Sequence, residues 1–280
     1  MRATPTGRLL AVVIPIHDDN PVRRTPVITY VLIVLNFVVF LSEPVVSHIG
    51  VGSQTAQQVC SQQAYFDKWA AIPRELTHDQ PLPPHRYVLQ TNNGRFVCPV
   101  INESDKKPYL SVLYSMFLHG GWLHLLGNML FLWVFGNNVE DVFGRFKFLL
   151  FYLFCGYVAA YGFALGNADS ETTLVGASGA IAGVLGAYLV TFPRARVTSV
   201  IPIAIILIPV RLPAWAVLGS WFLLQWLYSS GTGVASGAGV AYLAHVFGFV
   251  AGVLVALAAR PFLHVNAARN PIAGRWRSGY

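Results

Sequence analysis

Hydrophobic residues in this chain run in long blocks rather than in short alternations. Six blocks, over 27–46, 123–135, 148–165, 174–192, 214–228 and 240–259, are apolar on every helical face. A helix that is hydrophobic all round belongs in a large core or in a bilayer. About 20 such residues cross the ~30 Å hydrocarbon layer. The pattern predicts an all-α polytopic membrane protein with six transmembrane helices and a long outer loop between the first two. A further apolar run, 200–210, is bounded or interrupted by Pro202, Pro209 and Pro213 and is too short to span, so an interfacial segment on the cytoplasmic side is expected there.

Composition supports the membrane reading. Of 280 residues, 55% are hydrophobic and 11% charged, where a soluble domain carries roughly 25% charged residues. Charge sets the orientation. With a cytoplasmic N-terminus, Arg23, Arg24, Arg145, Lys147, Arg194, Arg196, Arg211 and Arg260 all fall inside, whereas the two short outer loops hold no Lys or Arg. The net charge of +7 is thus mostly a topology signal. It is a poor sign of nucleic-acid binding, since no basic cluster with interleaved aromatics occurs. Residues 9–16 are too few for a signal core and end in His17-Asp18-Asp19, so the first helix is expected to insert as an uncleaved anchor.

The expected organisation is a cytoplasmic tail over 1–25, a six-helix domain over 26–260 that includes an outer loop at 48–110, and a basic cytoplasmic tail over 261–280. The expected setting is a bacterial plasma membrane with both termini cytoplasmic. Cys155 lies mid-helix as a core residue. Cys60 and Cys98 share the outer loop, on an oxidising side, and whether they pair is open on sequence alone.

Polar residues inside these blocks are costly and point to function. Ser178 lies in Gly176-Ala177-Ser178-Gly179 and His245 in Ala244-His245-Val246-Phe247-Gly248. Ser178 is 15 residues from Pro193, His245 is 15 from Arg260, and His124 is 16 from Glu140. At 1.5 Å per residue these are roughly 22–24 Å from the inner helix ends. Three polar residues on three helices therefore share one level, with Asn128 one turn deeper than His124 on the same face. Each alone has a bland reading: a serine bonded to its own i−4 carbonyl, a histidine or asparagine bridging helices. Their convergence favours a polar cavity open to outer water. A serine hydroxyl needs an adjacent base, and His245 is the only histidine in the last three helices. No Asp or Glu lies at this depth, which points to a dyad. If helix 4 begins near Ser178, the Ser178 N–H is an unpaired first-turn donor for an oxyanion. His124 and Asn128 can add side-chain donors. Gly176 and Gly179 leave room for a substrate backbone and for a tight turn into the helix.

These motifs, with His119-Gly120-Gly121-Trp122-Leu123-His124-Leu125-Leu126-Gly127-Asn128, resemble those of the rhomboid intramembrane serine proteases over about residues 26 to 260. The resemblance implies Ser178 as nucleophile and His245 as base, with His124, Asn128 and the Ser178 N–H at the oxyanion hole. It places His119 in the outer loop structure just above helix 2 and Glu140 in polar contacts at its inner end. Many members carry a Trp-Arg pair where Leu110-Ser111 stands here, and some a tyrosine at the place of Ala182, which leaves the support for the His245 ring open. The implied substrates are single-pass transmembrane proteins, cut near the outer ends of their membrane segments. The competing reading is a catalytically inactive rhomboid-like protein that binds transmembrane helices. Such relatives typically lack the serine or the histidine, and both are present here. A transporter is a distant third. No cofactor or metal is expected: the five-residue spacing of His119 and His124 places them off one helical face, with no acidic or thiol partner in their layer. The oligomeric state is not legible.

Overall fold

The computed structural model describes residues 14–44, 55–91, 94–203, 206–230 and 241–262. The expected basic tail beyond 262, the first part of the N-terminal tail and 45–54 lie outside the described residues. The element order is β1 (Ile14–Asp18), α1 (Val27–Ser42), α2 (Ala56–Trp69), α3 (Pro73–His78), β2 (Val88–Thr91), β3 (Gly94–Val97), α4 (Pro108–Ser115), α5 (Trp122–Phe131), α6 (Asn137–Phe143), α7 (Arg145–Gly166), α8 (Ser178–Thr191), β4 (Arg196–Ile203), β5 (Ile206–Pro213), α9 (Ala214–Ser229) and α10 (Tyr242–Ala259). A π-helical turn over Leu132–Gly136 joins α5 to α6.

Each of the six apolar blocks is helical, with shifted ends. The second block is the longest surprise: through the π turn it continues to Phe143, well past the expected end at 135. The fourth begins at Ser178 rather than at 174, because Gly176 takes a left-handed φ of +121° that breaks the helix before it. The expected boundary of the outer loop at 110 falls inside α4.

The bundle is apolar outside and carries its polar groups inside. Val34, Val38, Leu41, Trp133, Phe146, Leu165, Trp215 and Leu254 are exposed, while Thr29, Asn36, Asn128, Asn138 and Glu140 are buried. Exposed apolar area on this scale needs a nonaqueous neighbour. Arg145–Gly166 and Tyr242–Phe262 are long and apolar enough to cross a membrane. The core is built of buried aromatic and aliphatic side chains that include Tyr152, Tyr188, Phe135, Phe148, Leu125 and Leu132.

Glycines set the closest approach in this core. A Cβ on Gly252 of α10 would overlap the Gly183 backbone of α8, and one on Gly186 would overlap that of Phe249. Small residues let membrane helices approach to backbone contact. Glu140 locks α6 to α1: its carboxylate accepts the backbone N–H of Ile28 (3.0 Å) and Thr29 (2.7 Å) and the Thr29 hydroxyl (2.8 Å). These are first-turn donors of α1, a helix with no side-chain cap of its own, so α6 caps α1.

The sequence did not show the strands. The run 200–210, expected as an interfacial segment, forms most of a β-hairpin, β4 with β5. Residues 14–18 of the expected tail add β1 as the third strand, so the sheet order is β1-β4-β5. Ile14 pairs with Val200 and Asp18 with Val197. β-branched residues (Val197, Thr198, Val200, Ile201) favour strand here, and Pro209 is tolerated because β5 is an edge. The all-α expectation thus holds for the bundle but omits this sheet and the β2-β3 hairpin. The sheet ties onto α8 through Asp18, whose carboxylate accepts from Tyr188 Oη (2.7 Å) and Asn138 Nδ2 (2.8 Å). Burial raises the Asp18 pKa to about 6, against the lowering effect of the Tyr188 hydrogen bond.

The long segment between α1 and α5 is folded over its described residues. Cys60 and Cys98 form a disulfide with Cα atoms 5.5 Å apart. Lys106 makes a buried ion pair with Glu75 at 2.6 Å, and burial depresses its pKa. The loop anchors to the approach of α8: Leu174 N–H donates to Ala71 O (2.7 Å), Ala71 N–H to Ser115 Oγ (2.6 Å) and Gly176 N–H to Ser115 O (2.9 Å). These contacts hold the loop without the Trp-Arg pair.

Candidate active site

Ser178 is the first residue of α8. The chain reaches it from the Ala71–Leu174 anchor, turns at Gly176 and starts the helix, so the hydroxyl stands at the N-terminal end of α8 with unpaired first-turn N–H groups beside it. The left-handed φ suits glycine, and a Cβ at Gly176 would also press on the His124 ring at 2.8 Å. Gly176 therefore fits the expected tight turn. Gly179 does not make room for a substrate: a Cβ there would meet Ala159 of α7, and its carbonyl lies against Gly248 of α10. Its role is helix packing.

The structure brings Ser178 and His245 together. His245 Nε2 lies 2.8 Å from Ser178 Oγ, and its other nitrogen, Nδ1, lies 2.8 Å from Gln225 Oε1 of α9. The close glycine packing of α8 on α10 fixes this distance, because it allows no slack between the two backbones. With Ala182 offering nothing to the ring, support comes from α9: the Trp221 indole lies 5.9 Å from the imidazole at an interplanar angle of 33°. Tyr242 stands edge-on at 6.5 Å. Sequence reasoning missed Gln225 and Trp221. The available signal was a lone amide in an otherwise apolar helix, one turn after a tryptophan.

His124 and Asn128 flank the same place. Both approach Gly176, two residues before Ser178. Asn128 Nδ2 donates to His124 O at 3.0 Å, one turn back on α5. An amide nitrogen carries two hydrogens, so one remains for a ligand. His119 is fully buried and sits between α4 and α5, its ring 5.1 Å from that of His124. Its backbone N–H donates to Glu43 Oε1 at 3.0 Å, which ties this turn to the outer end of α1. His119 is a structural neighbour of the cluster rather than a part of the Ser178 contact. Glu140 lies in polar contacts with the first turn of α1, at the end of this helical stretch away from His124.

The arrangement can carry acyl-transfer chemistry. A hydroxyl is bonded to a base, the base to an orienting acceptor, and N–H donors lie beside the hydroxyl. Among the described residues no group of three or more His, Cys, Asp or Glu side chains could hold a metal.

A helical bundle with an apolar exterior and a Ser–His pair at one end of its core defines a membrane protein with a polar site inside. Comparison with known proteins names its relatives. The rhomboid domain matches residues 106–262, more than half of the chain. This chain belongs to the rhomboid family, whose members are integral membrane proteins. It is 34% identical to RHOMBOID-like protein 5 of Arabidopsis thaliana over 32% of this chain and 28% of that protein. It is 29% identical to the mitochondrial Rhomboid protein 1 of Saccharomyces cerevisiae over 60% of this chain and 47% of the relative. With the putative rhomboid protease YdcA of Bacillus subtilis it shares 35% identity over 28% of this chain and 39% of that protein. The chain thus spans about a quarter to a half of the length of these relatives.

Proposed function

We propose that this protein is an intramembrane serine endopeptidase that cleaves single-pass transmembrane proteins near the outer ends of their membrane segments. The observation that carries the reading is the 2.8 Å contact between Ser178 Oγ and His245 Nε2 within an apolar bundle. His245 takes the hydroxyl proton as Oγ attacks the scissile carbonyl, then gives it to the leaving amine. The oxyanion is met by the Ser178 N–H, the free Asn128 amide hydrogen and the His124 ring. Water then attacks the acyl-enzyme with His245 again as base. A protein that only held helices would have no use for a serine bonded to an imidazole.

The six helices are read as six crossings with both termini inside, on the Lys and Arg distribution, in a bacterial plasma membrane. The named relatives come from mitochondria as well as from a bacterium. The scissile bond must reach Ser178 as extended chain, because a helix hides its carbonyls in i→i−4 bonds. Substrates with Gly or Pro near the outer end of their segment suit that need.

The test is cleavage of such a single-pass substrate by the purified protein in detergent, with products identified by mass. Cleavage by the parent and none by a folded Ser178→Ala variant is expected. Cleavage that survives Ser178→Ala contradicts the serine-protease reading. Saturable binding with no cleavage by the parent supports the binder instead.

A further inference from the structure

Helices α7 to α10 contain no Asp or Glu, so His245 has no carboxylate from them to orient it. It has Gln225 instead. The Gln225 Oε1 is 2.8 Å from Nδ1. A carbonyl oxygen can only accept, so Nδ1 must carry the hydrogen. In a neutral imidazole the lone pair is then on Nε2, the atom 2.8 Å from Ser178 Oγ. One hydrogen bond from α9 thus selects the tautomer that can receive the serine proton.

We propose that Gln225 is a positioning residue for His245, the third member of a Ser178–His245–Gln225 array drawn from three helices. The proposal rests on the reading of Ser178 and His245 as nucleophile and base. An amide suits the site physically. A carboxylate there would be a desolvated charge facing a neutral imidazole in the resting state, which is more costly to hold than an amide. The amide offers an acceptor with no charge to desolvate. It also stabilises the imidazolium less than a carboxylate would. Trp221 lies one turn before Gln225, so both project from one face of α9 onto the ring. α9 therefore supplies the acceptor and the flat support together, and any outward displacement of α9 releases both.

The titratable groups around the imidazole are few. Ser178 comes from α8, His124 from α5 and Tyr242 from α10 itself. α9 carries no charged residue, and the charges of α7, Arg145 and Lys147, are in its inner first turn.

The experiment measures kcat, KM and the pH profile of kcat for the parent, Gln225→Met, Gln225→Glu and Ser178→Ala on one transmembrane substrate in detergent. Gln225→Met keeps the length and removes the acceptor. Its kcat should fall by about 10- to 100-fold at unchanged KM. The acid limb of its profile should move to lower pH, since the imidazolium loses an acceptor that favours it. Gln225→Glu restores an acceptor of the same length and should recover most of the parental kcat. A purely structural role would change protein yield and leave the acid limb in place. Parental kcat and acid limb in Gln225→Met overturn the proposal, as does a Gln225→Glu enzyme as impaired as the methionine variant. Should Gln225→Met fail to fold, Gln225→Leu, which also removes the acceptor, takes its place with the same expected fall in kcat and shift of the acid limb. Ser178→Ala separates the two readings. If it stays active, the protease assignment fails; if it is dead while the Gln225 variants match the parent, only the role of Gln225 fails.

Discussion

Gly252 of α10 lies against the backbone of Gly183 on α8 so closely that no Cβ fits between them. The neighbouring atoms are backbone carbonyl and Cα and cannot rotate away. This contact, seven residues below His245 and five below Ser178 in sequence, sets the spacing across which the two side chains meet. Gly252→Ala should push α10 off α8, lowering stability by about 1–3 kcal/mol and disrupting the Ser178–His245 contact. Gly219→Ala is the control: nothing lies within 4 Å of a Cβ there, and alanine in a helix interior is favoured over glycine by up to ~1 kcal/mol. Thermal unfolding in detergent and cleavage rates check the pair. Equal behaviour of the two variants would refute the packing account.

Asn128 has one amide hydrogen on the His124 carbonyl at 3.0 Å and one left over. If the second meets the oxyanion, Asn128→Ala should lower kcat by roughly 10²–10³-fold with little change in KM, because the donor acts on charge present only in the transition state. Steady-state kinetics decide it. An unchanged kcat leaves Asn128 as helix glue.

Glu140 accepts three hydrogen bonds from the first turn of α1. Glu140→Ala should leave those buried donors unpaired and destabilise the protein by about 2–4 kcal/mol. Thr29→Val removes only the hydroxyl bond and should cost less, about 1 kcal/mol. Unfolding midpoints of the two variants give the comparison. A larger loss from Thr29→Val would place the stabilising contact elsewhere.

Asp18 joins β1 to α8, and burial lifts its pKa from 3.8 to about 6. The folded state therefore holds this proton more tightly than the unfolded chain. The contribution of Asp18 is full below its ordinary pKa of 3.8 and is lost as pH rises through about 6. In Asp18→Asn the group cannot titrate. The stability difference, parent minus Asp18→Asn, should accordingly fall between pH values of about 4 and 6, as read from unfolding midpoints at stepped pH. A difference that is flat or rises across that window contradicts the assignment.

The bundle was legible because bilayer helices are apolar on all sides, so each announces itself without reference to its neighbours. Ser178, His245, His124 and Asn128 were legible because polar groups stand out against that background, and a rise per residue turns sequence spacing into depth. The β4-β5 hairpin with β1 was not. Its third strand pairs Ile14 with Val200, a contact across most of the chain that no local pattern encodes, and the run was legible only for its length against a bilayer. The β-branched run in β4 was a local signal that went unused. Gln225 was invisible as a partner for a different reason: depth counts place residues at a level but give no azimuth, and only the packed bundle shows that α9 turns this amide toward His245. The disulfide between Cys60 and Cys98 needed the loop fold that brings their Cα atoms to 5.5 Å.

The most direct measurement is covalent trapping of the nucleophile. A fluorophosphonate reacts with a serine only where a base activates the hydroxyl and donors receive the phosphonyl oxygen. Intact-mass and peptide mapping of the treated protein should show one adduct, on Ser178, absent in Ser178→Ala and formed far more slowly in His245→Ala. A protein that cleaves its substrate with no adduct on Ser178, or one labelled as fast without His245, would contradict the account.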